Sequence, residues 1–382
     1  MKKQLLSLTL AALMLTACSG SDSSTAAAGA DLSAVEVKNA YNGAEELMGK
    51  DYGKFSMPSA FEVPTLTNVY TIDYNTVPPK YDREKLKKLY VDFFGDKFDE
   101  RGLADDGTWG LYYTAPHEVD ENGAPIGGNP DTAIYFDGYL NLAREQDLPL
   151  YTEGDFTHYF VDNSFDQSVT VDEMDTTIAQ QAAFLDNKMN TLFEGFFTPF
   201  ELKTNAIDIY TNGTIDANVA FALDGITLQS WKGDFENIIE DKGTEVYDTF
   251  QAGAMMNVQN DVRFIYTANI PTLVEKHPVD RIISLKRAVG ILQSDLPDNA
   301  SYNFTDVRLM YCCKVLFPRT SSVVTDSNLD DQRMAEYNSS VRTLEPMWCF
   351  FVEKPDEYIG EMIVKVNAIT GELDLDIATE NQ

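Results

Sequence analysis

The chain has 382 residues, of which 44% are hydrophobic and 12% aromatic, a composition typical of two or three folded domains rather than a disordered chain. Its 61 acidic and 29 basic residues give a formal net charge of −32. This balance argues against nucleic acid or an anionic surface as a partner, because both are bound by clustered lysine and arginine. The acidity itself provides solubility or attracts basic partners.

The first residues carry an export and anchoring pattern. Lys2 and Lys3 precede a short apolar run, residues 5–17, which is too short to span a bilayer. The run ends in Leu15-Thr16-Ala17-Cys18, which resembles the bacterial lipoprotein signal. The resemblance implies cleavage before Cys18 and a diacylglycerol thioether on its sulfur. A plain secretory signal with a chance cysteine is the alternative.

Residues 18–30 are rich in serine, alanine and glycine and are predicted to form a flexible tether. Ser19 rather than aspartate after the cysteine favours outer-membrane sorting if the source has two membranes. The predicted location is therefore a lipid-anchored one on the extracytoplasmic face of a cell membrane.

The N-terminal region, residues 31–165, begins with a weakly patterned lead-in and continues with an alternating strand at 64–74. A helix is predicted from the N-cap Asp82 to about Phe94, with Gly95 as C-cap. Two strands, 108–114 and 132–142, follow it.

The middle region, residues 166–275, contains a helix predicted over about 172–196, with Asp172 or Asp175 as its cap. An antiparallel meander is predicted over 206–231, because Asn-Gly and Asp-Gly separate its alternating runs. A further strand is predicted at 262–270.

The C-terminal region, residues 276–382, is predicted to hold a helix capped by Ser284 and strands at 304–317, 346–352 and 362–373. Alternation places Trp348 and Phe350 on one sheet face, under the helix. Gly371 is predicted to supply a positive φ at the final turn.

This region is similar to the PepSY-like modules of exported bacterial proteins. The residues that carry the similarity are Ile283, Ser284, Ala288, Pro346, Trp348, Asn367, Ala368, Thr370, Gly371 and Glu372. It departs from that pattern in a long connection, residues 318–344, and in asparagine at position 367, where aspartate is usual. The resemblance implies a helix-on-sheet module that binds or inhibits an extracytoplasmic protease, or serves as a regulatory module.

The predicted fold class is α+β, with antiparallel sheets each packed by a helix, in two to three helix-plus-sheet units. The predicted organisation is a lipoprotein signal at 1–17, a tether at 18–30, and the regions 31–165, 166–275 and 276–382.

No catalytic, cofactor or metal site is predicted from the sequence. The histidines, His117, His158 and His277, belong to no paired motif, and a calcium-loop-like fragment at 118–129 has asparagine at the last ligand position, which favours a solvated turn.

Beyond Cys18, three cysteines remain: Cys312, Cys313 and Cys349. Adjacent strand residues face opposite ways, so Cys349 is expected to face one member of the 312/313 pair. A cross-strand disulfide and buried free thiols are the two alternatives.

These observations predict a non-enzymatic, membrane-anchored lipoprotein that binds or regulates another exported protein. The alternatives are a ligand-capturing, transport-associated lipoprotein and a hydrolase. The sequence lacks the repeated parallel pattern of two-lobed receptors, which counts against the first alternative, and it lacks a nucleophile motif, which counts against the second.

Overall fold

A computed structural model describes residues 34–105, 110–122, 126, 130–136, 138–144, 156–171, 174–211, 213–229, 245–246, 251–257, 261–268, 270–312, 315–316, 339–353 and 362–376. Cys18, the predicted signal and the predicted tether lie outside these residues. The described part is a mixed α+β fold whose sheets are mostly antiparallel.

The helices and strands have the following bounds. The helices are α1 (Arg83–Phe94), α2 (Val161–Ser164), α3 (Ile178–Leu192) and α4 (Leu285–Asp295), with short 3₁₀ turns at Val37–Asn39, Ala44–Glu46, Gly95–Lys97 and Glu100–Gly102. The strands are β1 (Val35–Glu36), β2 (Phe55–Ser56), β3 (Tyr70–Asn75), β4 (Leu103–Asp105), β5 (Leu111–Thr114), β6 (Thr132–Phe136), β7 (Tyr139–Ala143), β8 (Phe156–Phe160), β9 (Ser168–Val171), β10 (Met174–Thr177), β11 (Glu201–Tyr210), β12 (Ile215–Leu223), β13 (Ile226–Thr227), β14 (Glu245–Val246), β15 (Gln251–Asn257), β16 (Asp261–Ala268), β17 (Thr272–Pro278), β18 (Arg281–Ile282), β19 (Tyr302–Cys312), β20 (Val315–Leu316), β21 (Arg342–Val352), β22 (Met362–Asn367) and β23 (Leu373–Asp376).

Two large sheets organise the described residues. The ten-stranded sheet has the order β4-β5-β6-β7-β16-β15-β12-β11-β8, with β13 added beside β12. The seven-stranded sheet has the order β17-β3-β21-β19-β2, and β22 and β23 extend it beyond β21. Its β2–β19 ladder is parallel, whereas the other ladders of the two sheets are antiparallel.

Hydrogen-bonded ladders cross both of the boundaries predicted between regions. Strand β7 pairs with β16, so residues on either side of position 165 share one sheet. Strand β3 pairs with β17 and β21, so residues on either side of position 275 share the other. Pairing of this kind depends on contacts between distant residues, which local sequence patterns do not report.

Helix α1 confirms the predicted helix and both of its caps. The Asp82 carboxylate accepts a hydrogen bond from the Glu84 backbone N–H at 2.9 Å, and Gly95 follows the last helical residue with φ of 58°. The Tyr90 hydroxyl donates to the Leu111 carbonyl oxygen at 2.6 Å, which attaches the helix to β5.

Helix α3 begins later than predicted, and its predicted caps are wrong. Thr177 is the N-cap: its side chain accepts from the Gln180 N–H, and the Gln180 side chain accepts from the Thr177 N–H in return. Asp175 instead lies in β10, which forms a hairpin with β9. The reciprocal capping box and this hairpin together set the start of the helix at Ile178.

Some predicted strands differ in their bounds. The strand expected at 64–74 starts only at Tyr70, because its ladder with β17 ends where Tyr70 pairs with Pro278. The single strand expected at 132–142 is the hairpin β6–β7, whose turn includes Gly138 at φ of 81°.

The hydrophobic core is built from the helices and the sheet faces turned toward them. It contains apolar residues of α1, α3 and α4 and alternating residues of both large sheets. Within the described residues, no helix has the length and apolar character that a membrane crossing requires.

Candidate functional site

The C-terminal helix α4 has the predicted cap, and the residue before that cap is hydrogen-bonded to the seven-stranded sheet. The Ser284 hydroxyl accepts from the Arg287 N–H at 3.2 Å and caps α4. Trp348 is fully buried and donates its indole N–H to the Ile283 carbonyl oxygen at 3.0 Å. Phe350 is buried in the same core, so the predicted alternation of these two residues is confirmed. Gly371 has the predicted positive φ, at 79°.

The opposite face of this sheet carries a small group of buried charged and thiol side chains, which we call the thiol–charge cluster: Asp306, Arg308, Cys312, Cys349 and Lys365. Cys349 lies in the middle of it, because it pairs directly with Arg308 of β19 on one side and with Lys365 of β22 on the other. Asp306, Cys349 and Lys365 have no exposed surface, and Arg308 has 6%. Apolar neighbours, including Met310 and Met347, surround the thiols.

An ion pair anchors this cluster. The Asp306 carboxylate accepts a hydrogen bond from Arg308 Nε at 2.7 Å. Arg308 Nη2 also forms an ion pair with the same carboxylate oxygen. Arg308 also donates to the Asn205 side-chain oxygen at 3.3 Å, and its guanidinium lies 4.9 Å from the centroid of the Phe351 ring. Asn205 occupies the irregularity of β11 at which the register shifts. The arginine therefore links the two large sheets.

The two described cysteines are close but not bonded. Their Sγ atoms lie 3.6 Å apart, and both are free, buried thiols. The two cysteines are not directly opposed in the ladder, since Cys312 pairs with Glu345. The Cys349 Sγ also lies 3.7 Å from the Met347 carbonyl oxygen of its own strand. Cys313 lies outside the described residues, and the two alternatives, a cross-strand disulfide and buried free thiols, stay predictions.

Burial decides the protonation of Cys349. Desolvation raises the pKa of this thiol well above its usual range, and the Cys312 thiol raises it further. The positive charges of Lys365 and Arg308 act in the opposite direction but are smaller effects. A thiol of this kind stays protonated at neutral pH, whereas a nucleophilic cysteine requires the thiolate.

The histidines lie on separate, exposed parts of the structure. His117 Nδ1 lies 3.0 Å from the Ala115 carbonyl oxygen, and His158 Nδ1 lies 2.5 Å from an Asp208 oxygen. His277 Nε2 lies 3.2 Å from Asp73, whose pKa is lowered mainly by the hydrogen bond that Thr343 donates to it.

Among the described residues, no group of three or more histidine, cysteine, aspartate or glutamate side chains is arranged to hold a metal ion. In the calcium-loop-like fragment, the Asp120 carboxylate accepts from the Asn122 N–H at 2.8 Å, a side-chain turn in an exposed loop.

Sequence reasoning located the cysteines of the cluster but missed its charges. The signal was present, because Asp306 and Arg308 alternate with Val307 and Leu309, and Lys365 stands between two valines. Ionisable residues inside an apolar strand are rarely buried unless they are paired, so this pattern indicates a buried charge network.

Comparison with known proteins assigns the chain to no family. No protein-family model matches the chain, and no curated protein matches it. A solved structure of an uncharacterized protein from Eubacterium rectale ATCC 33656 is similar at 12% sequence identity and a TM-score of 0.44. That similarity covers 81% of this chain and 87% of the other.

Proposed function

We propose that this protein is a lipoprotein held on the extracytoplasmic face of a membrane by an acylated Cys18, and that it is a non-enzymatic binding or regulatory module for another exported protein. The observation that carries the anchor is Leu15-Thr16-Ala17-Cys18 at the end of a short apolar run that follows Lys2 and Lys3. Two acyl chains on one cysteine hold a protein stably, at about 0.8 kcal/mol per buried CH₂ group.

The proposal also concerns how the helices lie on the two large sheets. We infer that each large sheet is covered by a helix and that these helix-plus-sheet units form the binding body. In support, the Asp186 carboxylate of α3 accepts from the Thr204 N–H of β11 at 2.7 Å, while Trp348 of β21 bonds to Ile283 at the start of α4. The PepSY-like residues of the C-terminal region point to the same kind of module.

Accessibility favours binding over catalysis. The thiol–charge cluster places two cationic side chains, Arg308 and Lys365, next to the Cys349 thiol. Each of these three residues has less than a tenth of its surface exposed. A dissolved substrate does not reach such groups. Aromatic residues are instead exposed on the ten-stranded sheet, and exposed apolar surface marks protein interaction sites.

The anchor is tested by membrane fractionation of cells that express the full chain with Cys18→Ala, beside a Ser19→Ala control. We expect the control in the membrane fraction and the Cys18→Ala protein in the soluble extracytoplasmic fraction. Retention of both variants on membranes would show that the anchor assignment is wrong. The binding role is tested by cross-linking on intact cells, and recovery of no reproducible exported partner would count against it.

A further inference from the structure

We propose that the face of the ten-stranded sheet turned away from α3, called here the outer face, binds a lysine- or arginine-rich peptide segment of the partner protein. This inference rests on the proposed binding function and specifies the chemistry of its partner.

The ladder register places acidic and aromatic positions on this face in one row. His158 pairs with Asp208, and Asp208 pairs directly with Asp216. Asp216 pairs with Met255, which pairs with Phe264. Directly opposed residues of an antiparallel ladder point to the same side of the sheet, so these positions share one face.

A second row runs parallel to the first and is also aromatic. Tyr266 pairs with Asn141, Asn141 with Ile134, and Ile134 with Tyr112. The Phe264 and Tyr266 rings are 5.8 Å apart, which joins the two rows. The outer face therefore carries aromatic rings on β16 and β5 and carboxylates on β11 and β12.

The rim of this surface is open to solvent. Phe136 and Tyr139, paired at the end of the β6–β7 hairpin, are 46% and 41% exposed. Phe156, on the edge strand β8, is 53% exposed, and its ring lies 5.2 Å from that of Tyr210. Large aromatic side chains exposed together mark an interaction surface rather than an inert one.

Charge selects a basic partner for this surface. Asp208 and Asp216 are directly opposed carboxylates on neighbouring strands, and His158 Nδ1 lies 2.5 Å from an Asp208 oxygen. The two carboxylates give this part of the face an acidic character, which favours a cationic side chain on the partner. The pKa values of Tyr210 and Tyr266 are raised mainly by burial and additionally by the Asp216 carboxylate, so this carboxylate lies within electrostatic range of both rings.

The rings add a second attraction for the same cation. A lysine or arginine over an aromatic face is attracted by the ring quadrupole. This chain uses that contact elsewhere: Lys276 Nζ lies 4.4 Å from the Tyr70 ring centroid, and Lys85 Nζ lies 4.4 Å from that of Phe196. With a net charge of −32, the chain also attracts basic partners at long range.

The test uses the full chain in non-ionic detergent and a fluorescein-labelled peptide of alternating lysine and threonine, with fluorescence anisotropy as the readout. A matched peptide of alternating glutamate and threonine and a neutral glucose oligomer are the other probes. The variant Asp208→Asn/Asp216→Asn removes the opposed carboxylates. Its control, Glu36→Gln/Glu46→Gln, removes the same charge from exposed positions outside this sheet.

We expect binding of the lysine peptide only, weakened about tenfold by the outer-face variant and less than about twofold by the control. Tyr139→Leu is expected to weaken it about two- to fivefold. Equal weakening by both double variants, binding of the glutamate peptide, or binding of the glucose oligomer at this face would overturn the proposal. Because the titration does not involve the membrane, failure here leaves the Cys18 test unaffected, and failure of that test leaves this one valid.

Discussion

The buried ion pair between Asp306 and Arg308 supports a quantitative prediction. The Asp306 side chain has no exposed surface and that of Arg308 has 7%. Replacing Asp306 with alanine leaves the guanidinium buried on the same sheet face as Lys365, which is itself fully buried. Removing one partner of a buried pair destabilises a protein by about 3–5 kcal/mol, because the remaining charge is uncompensated.

The paired variant Asp306→Leu/Arg308→Met separates the charge effect from the packing effect. Replacing both members of a buried pair by apolar residues of similar volume is often close to neutral. Here it also removes the hydrogen bond from Arg308 to Asn205, a loss of about 1.5–3 kcal/mol for a charged donor. We therefore expect the double variant to be more stable than Asp306→Ala by about 2 kcal/mol.

Equilibrium urea unfolding of the two variants and the unchanged chain measures these differences, provided that the slope m stays constant. The control is Asp298→Ala, which removes a carboxylate whose side chain is fully exposed although it pairs with Lys54. We expect a much smaller loss of stability for it than for Asp306→Ala. A loss below about 1 kcal/mol for Asp306→Ala would refute the reasoning, as would a double variant less stable than the single one.

Three further predictions follow from individual contacts. Thr177→Ala should lower the free energy of unfolding by about 1 kcal/mol, measured by urea unfolding, because it removes the N-cap of α3; no change would mean that the cap is dispensable. Burial raises the pKa of Asp186, so its contribution to stability is fully present below about pH 4 and is lost as pH rises through the raised value. Asp186→Asn, whose side-chain oxygen still accepts from Thr204, should reduce the loss of unfolding free energy with rising pH, as measured by unfolding curves at a series of pH values. The same pH dependence in the variant and the unchanged chain would contradict this prediction. Cys349 should react with iodoacetamide only after unfolding, as read by mass spectrometry, and rapid labelling of the native chain would show that the thiol is accessible.

Local signals in the sequence predicted the parts of the fold that local contacts determine. The caps of α1 and α4, Asp82 and Ser284, accept hydrogen bonds from residues two and three positions ahead, so nearby sequence contains the whole interaction. The positive φ of Gly371 depends only on its own turn. Alternation likewise separated Trp348 from Cys349, because period two is a property of the strand itself.

Long-range pairing explains what the sequence did not predict. Strand β3 lies near the start of the chain but pairs with β17, about two hundred residues later, and with β21, which lies further on. The start of α3 differs for a local reason, since the hairpin of β9 with β10 takes up the residues from Met174 to Thr177. Neither partner choice is encoded in the pattern of the strand that makes it.

The same distinction separates the two polar regions of the structure. The thiol–charge cluster is closed: Arg308 links β19 to Asn205 of β11, and burial keeps Cys349 protonated, which fits a role in holding the two sheets together. The outer face lies on strands between β5 and β16, and only its ladder register brings Asp208 beside Asp216, with both carboxylates within electrostatic range of the Tyr210 ring. A buried arginine without its carboxylate lowers stability strongly, whereas the contact of Asp208 with His158 on the outer face is partly exposed and contributes little. Stability and peptide binding are therefore expected to respond mainly to different substitutions, and a variant such as Asp208→Asn/Asp216→Asn should weaken binding with only a small change in the free energy of unfolding.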